Sequence, residues 1–563
     1  MGEQISGQIS PPSPPPRLRH SPTVALVPDQ PTAQCQRREG HPRARPIPAL
    51  YLGRWKYLAT LAVGSWSLVS AAPTIITPSF PASAIRVSAE LYPVCIMKVG
   101  TSCRRQKLAT LHQSWHWINQ ELAITSMGIP KKSEFLVIGA GVHGLSTAYH
   151  LAKYLRRTGK GSGSDVLVVE KSSIAAGASG VACGNVRNNY FQEPMTRLMM
   201  HCIDIWESDP DFFAYQGVGY LTASFAPMRE GLEAVYQRHQ QLGYPSTLIV
   251  GKQSVRDYMQ TMFYDWQAEE LEVVLHEHRG GHAWSRQAIH GLAIKAERED
   301  VRSLIGVGVT GFRFQGDGSV NVVETDVGDI EVGHVVVAVG PWIGKLWPLL
   351  ELPGTVDDPQ HPGDETNLWR YLALQEGEIE VNPYLHITND GRRPSLIHVD
   401  SDVPLYGEEG QLVWDKPWGI YFKRDKHAVQ GGAVPVDVGT ECQIDPYGTR
   451  SPHYCVKDSF YDLWVASLAH CMKRYEGKRS CASAKPSGGV GCFSADNFPV
   501  FDFMRPNVYV IADSNHGFKM IGVGEQVARI LIGEKSELLE PFRFRRFEDG
   551  DALPKSNAPF PWM

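Results

Sequence analysis

No CxxC pair occurs in this 563-residue chain, and its ten cysteines follow no regular spacing. That pattern excludes a disulfide framework, and reduced thiols are expected. There is no excess of positive charge to attract nucleic acid: the formal net charge is −5, and no basic stretch interleaved with aromatics occurs beyond the N-terminal region. The nearest approach to a membrane span, YLATLAVGSWSLVSAAPTII at 57–76, is interrupted by Thr60, Gly64, Ser65, Ser67 and Ser70, which makes it a weak one. Asp513, Ser514 and His516 fall close together in DSNHG, but nothing there marks a nucleophile elbow, so a hydrolase is set aside. What is present is 43% hydrophobic and 20% charged. That is ordinary for a globular protein with room for two or more domains.

The charge is unevenly spread. Residues 1–126 carry 13 Lys and Arg against 5 Asp and Glu, a net of +8, which leaves −13 for the remainder. Residues 1–50 are rich in Pro, Arg, Ser and Gln without apolar periodicity, as disordered segments are. The 57–76 stretch has the length and small-residue ending of a signal-peptide core but starts late for one; an Arg-rich, acid-poor leader also suits organelle import. MGEQIS fits a short myristoylation pattern. Residues 1–126 therefore read as a disordered or targeting leader. The folded part is expected from about Met127, in the cytoplasm or a mitochondrion.

The strongest motif is EFLVIGAGVHGLSTAYHLAKYL, from Glu134 to Leu155. Phe135 to Ile138 form an apolar strand. Gly139, Gly141 and Gly144 then give G-x-G-x-x-G, and Leu145, Ala148, Leu151, Ala152 and Leu155 follow at helical spacing. The first glycine permits a tight turn, the second lets backbone approach a pyrophosphate, and the third lets helix and strand pack closely. Backbone amides at the helix start, from Val142 and His143 onward, are then placed to hold phosphate. The next apolar run, DVLVVEK, ends in Glu170 and Lys171. Glu170 is the candidate ribose ligand, and an acid there favours FAD or NAD over NADP. It lies 31 residues beyond Gly139 because a Gly/Ser-rich insertion, RRTGKGSGSD, separates helix from strand.

Four further stretches narrow the choice to FAD. SSIAAGASGVACGNVRNNYFQ at 172–192, IEVGHVVVAVGPWIGKL at 330–346, SADNFPVFD at 494–502 and SNHGFKMIGVGE at 514–525 occur in that order. With the glycine loop they resemble the glycine/D-amino acid oxidase family of flavoproteins, which includes sarcosine oxidase and dimethylglycine dehydrogenase. The resemblance implies an α/β, Rossmann-like FAD-binding domain with a second, mostly antiparallel α+β substrate domain. It implies oxidation of the C–N bond of a small amine or amino acid, of the N-methyl or D-amino acid class. It places Ala178, Ser179, Gly180, Gly184, Gly340, Gly517 and Phe518 at the cofactor beside the glycine loop, Glu170 and Lys171. A NAD-linked dehydrogenase and a flavoprotein kept as an assembly factor are the alternatives.

The same resemblance assigns chemistry to individual residues. Lys519 matches the lysine that binds substrate carboxylate, and Arg187 an arginine near the flavin. Tyr190 stands where sarcosine oxidase has a second carboxylate-binding arginine, and Cys183 where it has a histidine. Gly489 falls at the position of its flavin-attaching cysteine, with Cys481 and Cys492 out of step, so non-covalent FAD is expected. Gln430 falls at its oxygen-activating lysine, so oxygen, a quinone or an electron-carrier protein all stand as electron acceptor. Glycines 517, 522 and 524 are expected to let backbone approach the flavin. His276, His278 and His282 could meet a metal only if two share a strand face, and no metal is expected. The FAD-binding domain is expected from residues 131–225, 280–345 and 480–535, and the substrate domain from 226–279 and 346–479.

Overall fold

The computed structural model describes residues 129–554 apart from 362, 434, 442, 452–453, 455, 483–486 and 514–515. The leader at 1–126, with its targeting readings, lies outside the described residues. In chain order the elements that frame the site are β1 (Lys132–Ile138), α1 (Val142–Thr158), β2 (Val166–Glu170), α2 (Glu193–Ser208), β3 (Tyr220–Ser224), β4 (Ser246–Val250), β5 (Val273–Glu277), α3 (Ser285–Glu297), β6 (Arg302–Ile305), β7 (Val309–Phe314), β8 (Val320–Thr325), β9 (Gly328–Val337), β10 (Trp369–Ile379), β11 (Leu396–Ser401), β12 (Trp418–Arg424), β13 (Val429–Ala433), β14 (Val436–Gly439), α4 (Asp458–Cys471), β15 (Ser487–Ser494), β16 (Val500–Arg505), β17 (Val508–Ala512) and α5 (Val523–Leu531).

The short apolar run of β1 is buried on both faces, as a central parallel strand must be. Phe135 and Val137 join a core with Leu145, Leu151 and Leu155 of α1 and Val523 and Val527 of α5. Leu136 and Ile138 point the other way, into a core with Trp347, Trp369 and Val510. β1 pairs in parallel with β2 and β9, β2 with β6, and β9 with β17; β7, β8 and β16 extend the sheet antiparallel to eight strands. α1 ends as its sequence dictates, with Arg156 and Arg157 in the last turn and Gly159 at φ 69° closing the helix.

The second sheet has nine strands in the order β14-β10-β13-β12-β11-β3-β5-β4, with β15 also on β10. Its pairs are antiparallel except β11 with β3. Here the pattern alternates. Leu221, Ala223, Ile397, Val399, Ile420 and Phe422 pack with Phe460, Trp464 and Leu468 of α4. The residues between them, Tyr220, Thr222, His398, Asp400 and Tyr421, line a cavity on the opposite face. A period of two with one apolar face is the signature of a sheet with a single hydrophobic layer.

Two domain boundaries are corrected. β3 and β15 lie within segments expected in the FAD-binding domain, yet both hydrogen-bond into the second sheet. Tyr220 stands opposite Leu396 and Gly489 opposite Leu374. Each pairing spans more than a hundred residues, so local pattern could not place these strands. No helix among the described residues is long and apolar enough to cross a membrane.

One buried ion pair ties the C-terminal segment to the scaffold. The Arg546 guanidinium donates to both oxygens of Asp496, at 2.8 and 2.9 Å, and to the Phe542 and Phe498 carbonyls. The two side chains are 4% and 1% exposed, so neither can recover water if its partner is lost. Arg546→Met is expected to lower unfolding free energy by about 3–5 kcal/mol. Urea denaturation followed by circular dichroism measures it, and an unchanged midpoint would contradict the role.

Candidate functional site

A cavity of about 670 Å³ runs from the C-terminal ends of β1 and β2 to the polar face of the second sheet. Its floor is the glycine loop. Gly139 sits at φ 108°, and a Cβ there would lie 2.4 Å from the Ala338 carbonyl oxygen. A Cβ on Gly144 would lie 1.9 Å from the Gly139 carbonyl, so this glycine lets α1 close onto β1. Gly141 differs: its backbone is extended, and a Cβ would meet only Ser179 Oγ, at 3.1 Å. Side-chain bulk at 141 enters the cavity.

Glu170 closes β2 half-buried at the cavity wall. Its Oε2 accepts from the Ala140 N–H at 3.0 Å and its Oε1 from the Ser172 N–H at 2.9 Å, which fixes the carboxylate and leaves lone pairs for a diol. Ser179 Oγ accepts from the Val142 N–H at 3.1 Å at the start of α1. His143 is buried and lines the cavity, with neither ring nitrogen bonded among the described residues; burial lowers it to about 3, so it is neutral. Ala178, Gly184 and Gly340 also line the wall. This set fits a dinucleotide: a glycine floor open to pyrophosphate, a fixed acid for ribose, and an unsatisfied buried donor-acceptor beside them.

Several expected cofactor residues act otherwise. Gly180 does not line the cavity; a Cβ there would lie 1.8 Å from the Ala175 carbonyl, so it serves packing. Lys171 is at the rim, but its ammonium is engaged by Asp445 at 2.6 Å and lies 4.1 Å over the Trp342 ring. Asp445 also accepts from Lys345 at 2.7 Å and Trp342 at 2.9 Å. Gly522 and Gly524 meet His201, Cys202 and Thr147, so they admit close helix packing, and only Gly517 of the three reaches the cavity. The Phe518 ring packs 5.1 Å from Trp206, and the residue lines the cavity.

Lys519 is held there by its neighbours. β17 is buried throughout. The chain leaves it through Asp513, whose Oδ1 accepts from the His516 N–H at 3.0 Å, into the one-turn helix Gly517–Lys519. Trp206 of α2 donates its indole N–H to the Lys519 carbonyl at 2.9 Å. The half-buried ammonium is drawn down to about 7, first by burial and then by Arg187, against Asp513 and Glu376. Arg187 donates to the Asn189 carbonyl and lies 4.6 Å over the Tyr190 ring. Tyr190 is buried, its hydroxyl without a partner among the described residues. Among the described residues neither Lys519 nor Arg187 has an ion-pair partner.

The second sheet contributes groups that reading the sequence overlooked. Glu376 on β10 is buried and lines the cavity. Its Oε1 accepts from the Tyr421 hydroxyl at 2.9 Å and the Cys183 N–H at 3.1 Å, while Oε2 has no partner among the described residues. Burial lifts this carboxyl to about 7. Tyr421 could be read from polar alternation in β12, as could Tyr220 and His398 in β3 and β11. Gln430 does not line this cavity; its amide oxygen accepts from buried Lys423 directly across the strand pair, at 2.8 Å. Cys183 lines the cavity, and burial pushes its thiol well up; Cys481 and Cys492 do not line it. His276 is taken up by Tyr258 and Ser395, and no metal-holding group of three occurs among the described residues.

A family model described as FAD dependent oxidoreductase, the DAO family, matches residues 134–530. The chain belongs to this family. Its cofactor is FAD, and a NAD-linked dehydrogenase is set aside. The sarcosine oxidase beta subunit of an Arthrobacter species is 27% identical over 79% of this chain and 97% of its own length. Human peroxisomal sarcosine oxidase is 25% identical over 38% of this chain and 51% of its own length. Among solved structures, L-proline dehydrogenase from P. horikoshii superposes with a TM-score of 0.59 at 18% identity, covering 75% of this chain and 99% of that one. Glycine oxidase from Geobacillus kaustophilus gives 0.54 at 16%, covering 74% and 99%. The structural likenesses establish the shared fold.

Gly141→Val separates fold from site. The variant is expected to fold, by circular dichroism, but to purify with little or no FAD. A folded and fully yellow variant would contradict the assignment of the glycine floor.

Proposed function

We propose that this enzyme oxidises the C–N bond of a small amino acid or N-alkyl amino acid, with the substrate carboxylate bound between Lys519 and Arg187. One observation carries the reading: two cations line one cavity, and no protein carboxylate forms an ion pair with either among the described residues. A cation removed from water is costly unless an anion compensates it, and a charge-assisted bond to a carboxylate does so. The names of the relatives, sarcosine oxidases among them, support nitrogen next to the reacting carbon.

The chain's own part is binding and orientation. Lys519, near 7 before substrate arrives, gains and keeps its proton when a carboxylate settles against it. Arg187 is fixed by the Asn189 carbonyl and the Tyr190 ring, so its guanidinium is a preset second anchor. The polar face of the second sheet lines the other side of the cavity. When bound, FAD supplies the acceptor for the hydride lost from carbon; the imine left behind is hydrolysed. The electrons' final acceptor is oxygen, a quinone or a carrier protein. The last two stand beside oxygen because the sequence resemblance sets Gln430, here tied to Lys423, against the family's oxygen-activating lysine.

Lys519→Met keeps length and removes charge. Anaerobic flavin bleaching by an amino acid should lose about 10- to 150-fold in kcat/KM, the worth of one charge-assisted hydrogen bond of roughly 1.5–3 kcal/mol. A comparable amine without a carboxylate should lose much less. Equal losses for both would place Lys519 on the flavin instead. Bound FAD that no amine bleaches would favour a non-catalytic role for the protein.

A further inference from the structure

Three polar side chains on adjacent strands of the second sheet form a single hydrogen-bonded file that ends in the cavity. Tyr220 of β3 places its hydroxyl 3.1 Å from His398 Nδ1 on β11. His398 Nε2 lies 2.8 Å from Asp400 Oδ1. The Ser224 hydroxyl donates to Asp400 Oδ2 at 2.9 Å. Tyr220 is 1% exposed and Asp400 fully buried, and all three members of the file line the cavity that holds Arg187 and Lys519. A Cβ on Gly419 would lie 2.7 Å from Asp400 Oδ1, so a glycine at this point of β12 makes the space the carboxylate occupies.

The geometry sets the direction of the bonds. An ionised Asp400 only accepts, so His398 donates through Nε2. Nδ1 of the neutral ring is then an acceptor, and the Tyr220 hydroxyl donates to it. That leaves the lone pairs of the phenolic oxygen free toward the cavity. The sequence offered only isolated hints of this file, in YLTAS and LIHVDS, where polar residues alternate with apolar ones.

We infer that Tyr220, His398 and Asp400 form a proton relay that takes the ammonium proton of the bound amino acid. The inference rests on the proposed amine oxidation. An amino acid arrives with its nitrogen protonated, and the carbon beside an ammonium cannot release a hydride. Lys519 and Arg187 together disfavour a third cation beside them. The proton passes from the substrate nitrogen to the Tyr220 oxygen, and the phenolic proton passes to His398 Nδ1. The charge arriving on the ring is compensated by Asp400, itself held by Ser224. No electrons move in this step; a neutral amine, a neutral phenol and an imidazolium replace an ammonium, a phenol and an imidazole.

The charged and titratable neighbours are consistent with this direction. Arg187 lies 5.8 Å from the Tyr220 ring, and Tyr190 lies beneath the same guanidinium. Glu277 of β5 stands opposite Tyr220 across the strand pair, and Tyr421 of β12 stands opposite His398. Glu277 is buried, bonded by the Asn188 N–H and the Tyr244 hydroxyl, and raised to about 7 by burial. Burial holds Tyr220 itself well above its ordinary range, so it passes a proton on and does not rest as a phenolate.

Tyr220→Phe breaks the file at its cavity end, and His398→Gln breaks it one step deeper. Both are measured as FAD-loaded protein with sarcosine and with L-proline, in anaerobic stopped flow with a pH-indicator dye. At about pH 8, where an ordinary imidazole is unprotonated, each variant is expected to release about one proton per flavin more than the wild type before bleaching, any proton taken up by Lys519 being common to all three. At neutral pH the bleaching rate should fall about 10²-fold in Tyr220→Phe, and the deficit should shrink toward pH 10, where the amine is already neutral. Loss of the Lys519 charge above about pH 7 acts on all three proteins, so their ratio isolates the relay. Equal proton counts, or a deficit of constant size across pH in both variants, would overturn the relay and leave a packing role. If one variant fails to hold FAD, the other decides. A wild-type flavin that neither amino acid bleaches, nor any other amine, would overturn the amine reading and the relay with it.

Discussion

The site depends on an electrostatic imbalance: two cations line one cavity without a carboxylate bonded to either among the described residues. Proteins seldom bury positive charge in this way unless a ligand completes it. The imbalance decides which end of a substrate goes where. Burial, and then Arg187 beside it, draws the half-buried lysine down to about 7 before substrate arrives, and a relay beside the two cations would unload a third positive charge.

Holding that imbalance is the work of the scaffold. Gly139 and Gly144 bring β1, α1 and β9 into contact at distances no side chain allows. The parallel strands thereby end together at the cavity floor. The last of them, β17, delivers Lys519 through a turn pinned by Asp513 and Trp206. The second sheet divides its labour by face. Its apolar face anchors it to α4, and its polar face, buried against the cavity, carries Tyr220, His398, Asp400, Tyr421 and Glu376. Burial raises Glu376 and Glu277 to about 7. A polar sheet face removed from water is costly unless its groups bond one another, and here most do.

Only local features could be read from the sequence. The glycine loop, Glu170 at the end of the next strand and the HGFK turn at 516–519 each lie within one strand–turn–helix unit, and each stands at the cavity. Glycine roles were harder. Gly180, Gly522 and Gly524 look like phosphate or flavin glycines, yet they serve packing: Gly180 sits against nearby Ala175, while Gly522 and Gly524 meet His201 and Thr147, partners distant in sequence. The assignment of β3 and β15 failed for the same reason, since each pairs with a strand more than a hundred residues away. The relay residues were invisible singly. Only strand register brings Tyr220 and His398 side by side, although alternation in YLTAS and LIHVDS was the available sign.

The most direct test is a crystal structure of the FAD-loaded protein with a small unreactive carboxylate such as anthranilate. Carboxylate oxygens are expected at about 2.7–2.9 Å from both Lys519 Nζ and the Arg187 guanidinium, with the rest of the molecule under the Tyr220 hydroxyl. A carboxylate bound elsewhere, with Lys519 turned onto the flavin alone, would contradict the pairing of these two cations with substrate.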